Sequence, residues 1–145
     1  MTNKIDVTKL YQKMQANNIE TLVLPPPSFT IMKCEITDYN ESKQSIIVKI
    51  PVLQNWLNPY NTMQGGLINA AIDNAVGPLS LLVAPVNMTR TMETKFLKSI
   101  TLDVKYIYVN AYLNEIRKKR LTFNVTVKDE KGEVFIQSKV VNFIL

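Results

Sequence analysis

The sequence predicts an α+β fold in which one long apolar helix lies against an antiparallel sheet. Three observations predict it. The stretch from Gly65 to Ala84 is almost entirely apolar, and a helix that is apolar all round is a buried one. On both sides of it the period is two: Ile46, Val48, Ile50 and Val52 before, Leu121, Phe123, Val125 and Val127 after. The periodic runs are joined by short connections, which favour antiparallel pairing. One helix packed on one such sheet is an α+β arrangement.

Each element follows in order. Val7, Leu10, Tyr11 and Met14 share a helical spacing, so residues 6–18 are expected to be helical. Pro25-Pro26-Pro27 forces an extended segment. Residues 1–27 therefore read as a helix and a Pro-rich arm, lying across the domain or a partner subunit, and 28–145 as the domain proper. Phe29 to Asp38 and Ser45 to Val52 read as strands joined by a turn at Asn40-Glu41-Ser42-Lys43. Leu53 to Leu57 reads as a short helical turn that Asn58-Pro59 ends. The central helix is expected to start near Gly65, and Gly77-Pro78 to kink or end it. Four strands follow: Met88 to Lys98, an alternating run from Leu102 through Tyr108, Leu121 to Val127, and Glu133 to Ile144. Asp129-Glu130-Lys131-Gly132 makes the last hairpin turn. Tyr106, Tyr108, Trp56 and Phe96 are expected in the core or an interface.

Composition narrows the chemistry. With 145 residues, 46% hydrophobic and 20% charged, the chain has enough length for one domain with a real core. The single cysteine, Cys34, rules out a disulfide within the chain. It fits a reducing compartment, and a cytoplasmic location is expected. The first six residues lack the apolar core of a signal peptide. The run Gly65 to Val86 carries Asn69, Asp73, Asn74, Pro78 and Pro85, which favours a buried helix over a membrane span. A net charge of +5 suits an anionic partner, either nucleic acid or a phosphate-bearing molecule such as coenzyme A. No nucleic-acid-binding signature supports the first, and scattered solvated lysines account for much of the charge. The chain has no histidine. That excludes Ser-His-Asp and Cys-His nucleophile pairs and, with one cysteine, a zinc site, so no metal or cofactor is expected. Any catalysis must run on carboxylate, amide, hydroxyl, lysine or backbone groups.

Asn58 to Gly77 is the stretch where such groups converge. A polar turn with Asn58 and Pro59 leads through Gly65-Gly66 into the apolar helix, whose middle carries one carboxylate, Asp73. A carboxylate on a buried helix is expensive unless it is paired, protonated or used. Asn69 and Asn74 are neighbours that would satisfy it structurally. The amides at a helix N-terminus bind negative charge. Together a donor site and a carboxylate on one helix suggest acyl chemistry.

The pattern resembles the hot-dog fold, a curved antiparallel sheet wrapped around a central helix. It is most similar to acyl-CoA thioesterases of the phenylacetate-pathway and 4-hydroxybenzoyl-CoA thioesterase type, over roughly residues 28 to 145. The resemblance rests on Asn58, Gly65, Gly66, Asp73 eight residues after the first glycine, Thr91 at the start of the third strand, and the closing hairpin at Gly132. It implies that Asp73 is general base or nucleophile and that the Gly65 amide polarises the thioester carbonyl. Gly66 lies beside it at the substrate. Asn58 and Gln64 would position substrate or water, and Thr91 would hydrogen-bond Asp73 or the water. Gln64 stands where the family carries His. A glutamine amide donates a hydrogen bond but shuttles no proton near neutral pH. Turn former, loop stabiliser and ordinary strand residue are the plainer roles of Asn58, Gln64 and Thr91. Arg117, Lys118 and Arg120, in the run Arg117-Lys118-Lys119-Arg120, are candidates for coenzyme A phosphates or for a charged edge that discourages aggregation. Lys95 and Lys98 are weaker ones.

Geometry adds a constraint. Eight residues of helix separate Gly65 from Asp73 axially by roughly 12 Å, too far for both to act on one carbonyl carbon. Two antiparallel helices across a two-fold axis would bring each Gly65 to the partner's Asp73. A homodimer or homotetramer with shared sites is therefore expected. The expected function is hydrolysis of an acyl thioester carried by coenzyme A or an acyl-carrier protein. The alternative is a non-catalytic, regulatory acyl-CoA-binding protein.

Overall fold

A computed structural model describes residues 4–145; the first three residues of the expected N-terminal arm lie outside the described ones. The chain runs α1 (Val7–Ala16), α2 (Pro27–Ile31), β1 (Glu35–Asn40), β2 (Ser45–Pro51) and a 3-10 turn at Gln54–Trp56. It continues as α3 (Gly65–Val83), β3 (Asn87–Phe96), a second 3-10 turn at Leu102–Val104, β4 (Tyr106–Arg117), β5 (Arg120–Lys128) and β6 (Val134–Ile144). The strands form one six-stranded antiparallel sheet in the order β1-β2-β4-β5-β6-β3. The long connection through α3 carries the chain from β2 to the opposite edge, so β3 has a neighbour on one side only.

The core forms where the sheet's inner face meets α3. Alternation puts Ile46, Val48 and Ile50 of β2, Ile107, Val109 and Ala111 of β4, and Phe123, Val125 and Val127 of β5 inside. Against them α3 turns Ala71, Ile72, Ala75, Val76 and Leu79, all at 0% exposure. The helix is long and apolar enough to span a bilayer, but its apolar side is occupied by the sheet.

Three local expectations need correction. Pro78 neither ends nor splits α3, which is continuous to Val83. The proline leaves the Asn74 carbonyl without its usual amide donor, at a cost of roughly 3 kcal/mol. Pro78, Leu79 and Leu82 are buried, at roughly 1.5–3 kcal/mol for each large apolar side chain, and this burial offsets the loss. Termination comes at Ala84, in extended conformation, just before Pro85.

Phe29 to Ile31 are helical rather than extended. Pro27 sits in the first turn of α2, where its fixed φ suits a helix start. The helix stops at Lys33, whose φ of 53° is left-handed. The Cys34 amide donates to the Phe29 carbonyl and the Lys33 amide to the Thr30 carbonyl, closing a Schellman motif. Leu102 to Val104 form a tight turn, not the start of a strand. Lys105, at φ 65°, resets the chain so that β4 begins at Tyr106. That places Ile107 and Val109 inside and leaves Tyr106 and Phe96 exposed, while Tyr108 and Trp56 are half-buried.

Cys34 follows α2 and packs against the core. Burial pushes its thiol from 9.0 up to about 12. The folded state disfavours the thiolate, so stability is lost progressively as pH rises from the unfolded value toward 12. At pH 8 the folded chain holds roughly a thousandfold less thiolate than the unfolded one. Iodoacetamide should therefore label Cys34 slowly in buffer and fast in denaturant, a ratio readable by mass spectrometry. Equal rates would contradict the burial.

Candidate active site

The helix start is built from the loop before it. Asn58 organises that loop through both ends of its side chain. Its Oδ1 accepts from the amides of Tyr60 and Thr62, at 2.9 and 3.2 Å, and its Nδ2 donates to Thr62 Oγ1 at 2.8 Å. The structure thus gives Asn58 the turn-forming role. Gln64 caps α3 by its backbone alone: its carbonyl accepts from Leu67 and Ile68, and its amide donates to the Trp56 carbonyl. Its side chain is exposed and makes no capping bond. The first amides of α3, on Gly65 and Gly66, have no intrahelical acceptor. They carry the positive end of the helix dipole. Gly65 lines a cavity of ≈ 250 Å³ together with Asn58, Thr62, Phe96 and Lys98. A Cβ on Gly65 would stand 3.5 Å from the Phe96 ring, so the backbone at this point lies close against the aromatic edge. Lys98 is ion-paired with Glu133 across the strands, which neutralises one weaker phosphate candidate.

Two turns further along, Asp73 is exposed in the single chain, not buried as the apolar helix suggested. Its side chain points to the rim where β3 begins. There Thr89 Oγ1 donates to Asp73 Oδ1 at 2.9 Å. Thr89, not Thr91, is thus the residue that holds the carboxylate. A bulge between Thr89 and Thr91 shifts the alternation of β3 by one. Beyond it Met92 packs inward and Thr94 bonds Asn69, which leaves Thr91 on the opposite, exposed face. The Thr89 bond occupies one carboxylate oxygen and leaves the other free to accept.

Asp73 opens onto a larger cavity, ≈ 460 Å³, whose walls come from three parts of the chain. The N-terminal segment supplies Tyr11, Met14, Leu24 and Phe29, α3 supplies Asp73 and Gly77, and the β3–β6 pair supplies Thr89 and Asn142. This volume lies within the range usual for small-molecule sites. The segment is fastened to α3 by polar side chains. Asn74 accepts from Ser28 Oγ at 3.0 Å and donates back to the Ser28 carbonyl and to Met32 Sδ. Asn17 Nδ2 donates to the carbonyls of Leu81 and Leu82, both at 3.2 Å.

The helix between Gly65 and Asp73 is unbroken, so the two groups face two separate cavities. Arg117, Lys118 and Arg120 surround an exposed β4–β5 hairpin, with Lys118 at φ 57°. Cross-strand register runs Arg117–Arg120–Phe143–Met88. Three strand spacings, roughly 14 Å, thus separate Arg117 from β3. Among the described residues no cluster of acidic or thiol side chains could hold a metal ion.

Comparison with solved structures decides the architecture. Escherichia coli PaaI, from the phenylacetic acid degradation operon, matches with a TM-score of 0.77 over 95% of this chain and 97% of its own, at 11% identity. The chain has the hot-dog fold. A Ralstonia eutropha phenylacetic acid degradation-related protein, a proposed thioesterase, matches at TM-score 0.79 and 15% identity, over 93% of this chain and 99% of that one. A Streptococcus mutans protein bound to acetyl-CoA matches at 0.71 and 19%, over 88% and 94%. No protein-family model matches the sequence, and comparison with curated proteins finds no match.

Thr89, Asn142 and the wall from the N-terminal segment escape sequence reasoning. The bulge that selects Thr89 over Thr91 leaves no mark in residue type, and Asn142 sits in a strand whose alternation says only that it faces inward. Asn74, by contrast, has a direct test. Asn74→Ala removes every side-chain bond from α3 to α2, and a net loss of about 0.5–1.5 kcal/mol is expected in urea unfolding. Amide exchange should rise over Pro27–Ile31 with little change in β5. Unchanged protection over α2 would show that packing alone holds the segment.

Proposed function

We propose that the protein is an acyl-CoA thioesterase whose active site is completed by a second copy of the chain. One observation carries the reading. An exposed carboxylate held by Thr89 faces a small-molecule cavity, while the only free helix-terminal amides on α3 face another, about 12 Å away along a rigid helix. The fold neighbours support it: one is bound to acetyl-CoA and others are described as thioesterases. So does the outer edge of β3, a 10-residue strand with one neighbour and no bulge beyond Thr91. Such an edge invites pairing with another strand. Pairing two β3 edges about a two-fold axis would run the two α3 helices antiparallel, each Asp73 toward the partner subunit's Gly65.

In that arrangement the free oxygen of Asp73 takes a proton from water as the water oxygen attacks the thioester carbon. The carbonyl oxygen becomes an oxyanion and accepts from the partner subunit's Gly65 amide, where the helix dipole adds to the stabilisation. The C–S bond then breaks, the coenzyme A thiolate takes the proton from Asp73, and the acid loses its own proton to solvent and leaves as carboxylate. If Asp73 attacks directly instead, the C–S bond breaks as an acyl anhydride forms on the same oxygen, the coenzyme A thiolate leaves and takes a proton from solvent, and water then hydrolyses the anhydride to the free acid and Asp73.

The competing reading, an acyl-CoA-binding protein without turnover, has Gln64 in its favour, since the family's histidine is absent. Free-thiol release from a panel of acyl-CoA esters separates the two. Turnover is expected, and Asp73→Asn should lower it by at least ~10²-fold with binding little changed. Tight binding with no thiol released by the wild type would reject catalysis.

The shared site has its own test. Sedimentation at micromolar concentration should show a dimer or larger; a stable, active monomer would contradict it. Chains carrying Asp73→Asn and chains carrying Gly65→Pro should each be inactive. A mixed dimer holds one doubly defective site and one intact site, so up to half of wild-type activity is expected to return. Folded, verified mixed dimers with no recovery would exclude sites built across two chains.

A further inference from the structure

Asn142 is 2% exposed, and its Oδ1 is a buried oxygen with no hydrogen-bond partner among the described residues. The side chain belongs to the wall of the cavity onto which Asp73 opens. A buried amide oxygen left without a donor costs roughly 1–3 kcal/mol.

The orientation of this amide is fixed by its neighbours. Asn87 Nδ2 donates to the backbone carbonyls of Pro85 and Ser80, at 3.0 and 3.3 Å. Carbonyls only accept, so the NH₂ end of Asn87 must face them and its Oδ1 must face away. Asn142 Nδ2 donates to that Oδ1 at 2.8 Å. The end of Asn142 left over is therefore the acceptor. Reversing the Asn142 amide would set two oxygens against each other. A group that satisfies this position must bring a donor.

Its place along the cavity is also fixed. Asn142 is the cross-strand partner of Thr89, the residue that holds Asp73. Directly opposed residues in an antiparallel pair have Cα atoms about 4.5–5.5 Å apart. Asn142 thus stands beside Thr89 on the same face of the sheet.

We propose that the acyl group of the substrate carries a hydrogen-bond donor, a hydroxyl or amino group, within a few atoms of the thioester carbonyl, and that Asn142 Oδ1 receives it. The apolar wall from Leu24, Met14 and Phe29 receives the remaining hydrocarbon. This assignment rests on the thioesterase reading for the carrier and the position of the carbonyl. Discrimination follows from what the unsubstituted acyl group leaves behind: a site built to accept a donor rejects the analogue that lacks it, because its own polar group stays unpaired.

The test is binding, so that it does not depend on turnover. Coenzyme A ketone analogues, with CH₂ in place of the thioester sulfur, would be made with butanoyl, 3-hydroxybutanoyl and 4-hydroxybutanoyl groups, and titrated by calorimetry into the wild-type protein. The 3-hydroxy analogue is expected to bind about tenfold or more tighter than the unsubstituted one, and tighter than the 4-hydroxy one. Asn142→Leu, checked for folding by circular dichroism, should erase that preference. Equal affinities in the wild type, preference for the 4-hydroxy analogue, no binding of any analogue, or a preference that survives in folded Asn142→Leu would each overturn the proposal. If Asn142→Leu does not fold, the wild-type ranking alone decides. Preferential binding of the 3-hydroxy analogue by a protein that hydrolyses no thioester would uphold this assignment while rejecting catalysis.

Discussion

A rigid helix cannot fold its first amide back onto its ninth residue. That constraint organises the candidate site. The sheet buries one side of α3 along its full length and keeps it continuous even through Pro78. The same rigidity holds Gly65 and Asp73 apart. A bend would have let one chain bring both groups together, but it would have exposed the apolar side that pays for the proline. The stability of the core and the separation of Gly65 from Asp73 have one cause.

Around this helix the polar work is done by amides and hydroxyls. Asn58 shapes the approach to Gly65, Asn69 accepts from Thr94, Asn74 fastens α2, and Asn87 orients Asn142. None of these groups titrates in the ordinary range, so the bonds between them do not change with pH. Asp73 is the one ionisable side chain among the groups that the proposed reaction uses. In a chain without histidine, the proposed reaction concentrates its proton chemistry on that carboxylate and on water.

Much of this was legible in the sequence, and the reason differs by element. β2, β5 and the start of α3 were readable because alternation and a Gly-Gly entry are direct signs of which side is buried. The helical turn α2 was not, because its stop is a lysine in the left-handed conformation rather than a glycine. The start of β4 was hidden in the same way by Lys105. At the candidate site, Asp73 and Gly65 were singled out by a lone carboxylate on an apolar helix, the Gly-Gly entry and the resemblance, and helix rise set their separation. The burial of Asp73 was misjudged because a helix apolar in composition still leaves its sheet-free side to solvent. Thr89 was missed because one extra residue in a strand changes which threonine faces inward, and no residue type announces it.

The cavity wall from Tyr11, Leu24 and Phe29 lies in a stretch of chain that contributes nothing to the sheet. Leu10, Met14 and Phe29 pack it into the core, and two asparagines add its polar links to α3. The frame that holds Asp73 and much of the wall of the cavity beside it thus come from different stretches of the chain. Substitutions in the first thirty residues can reshape the pocket without disturbing a strand register or the carboxylate. Such a division lets the cavity wall vary under selection while the carboxylate stays fixed, and it marks the N-terminal segment as the natural part to exchange in altering what the cavity would accept.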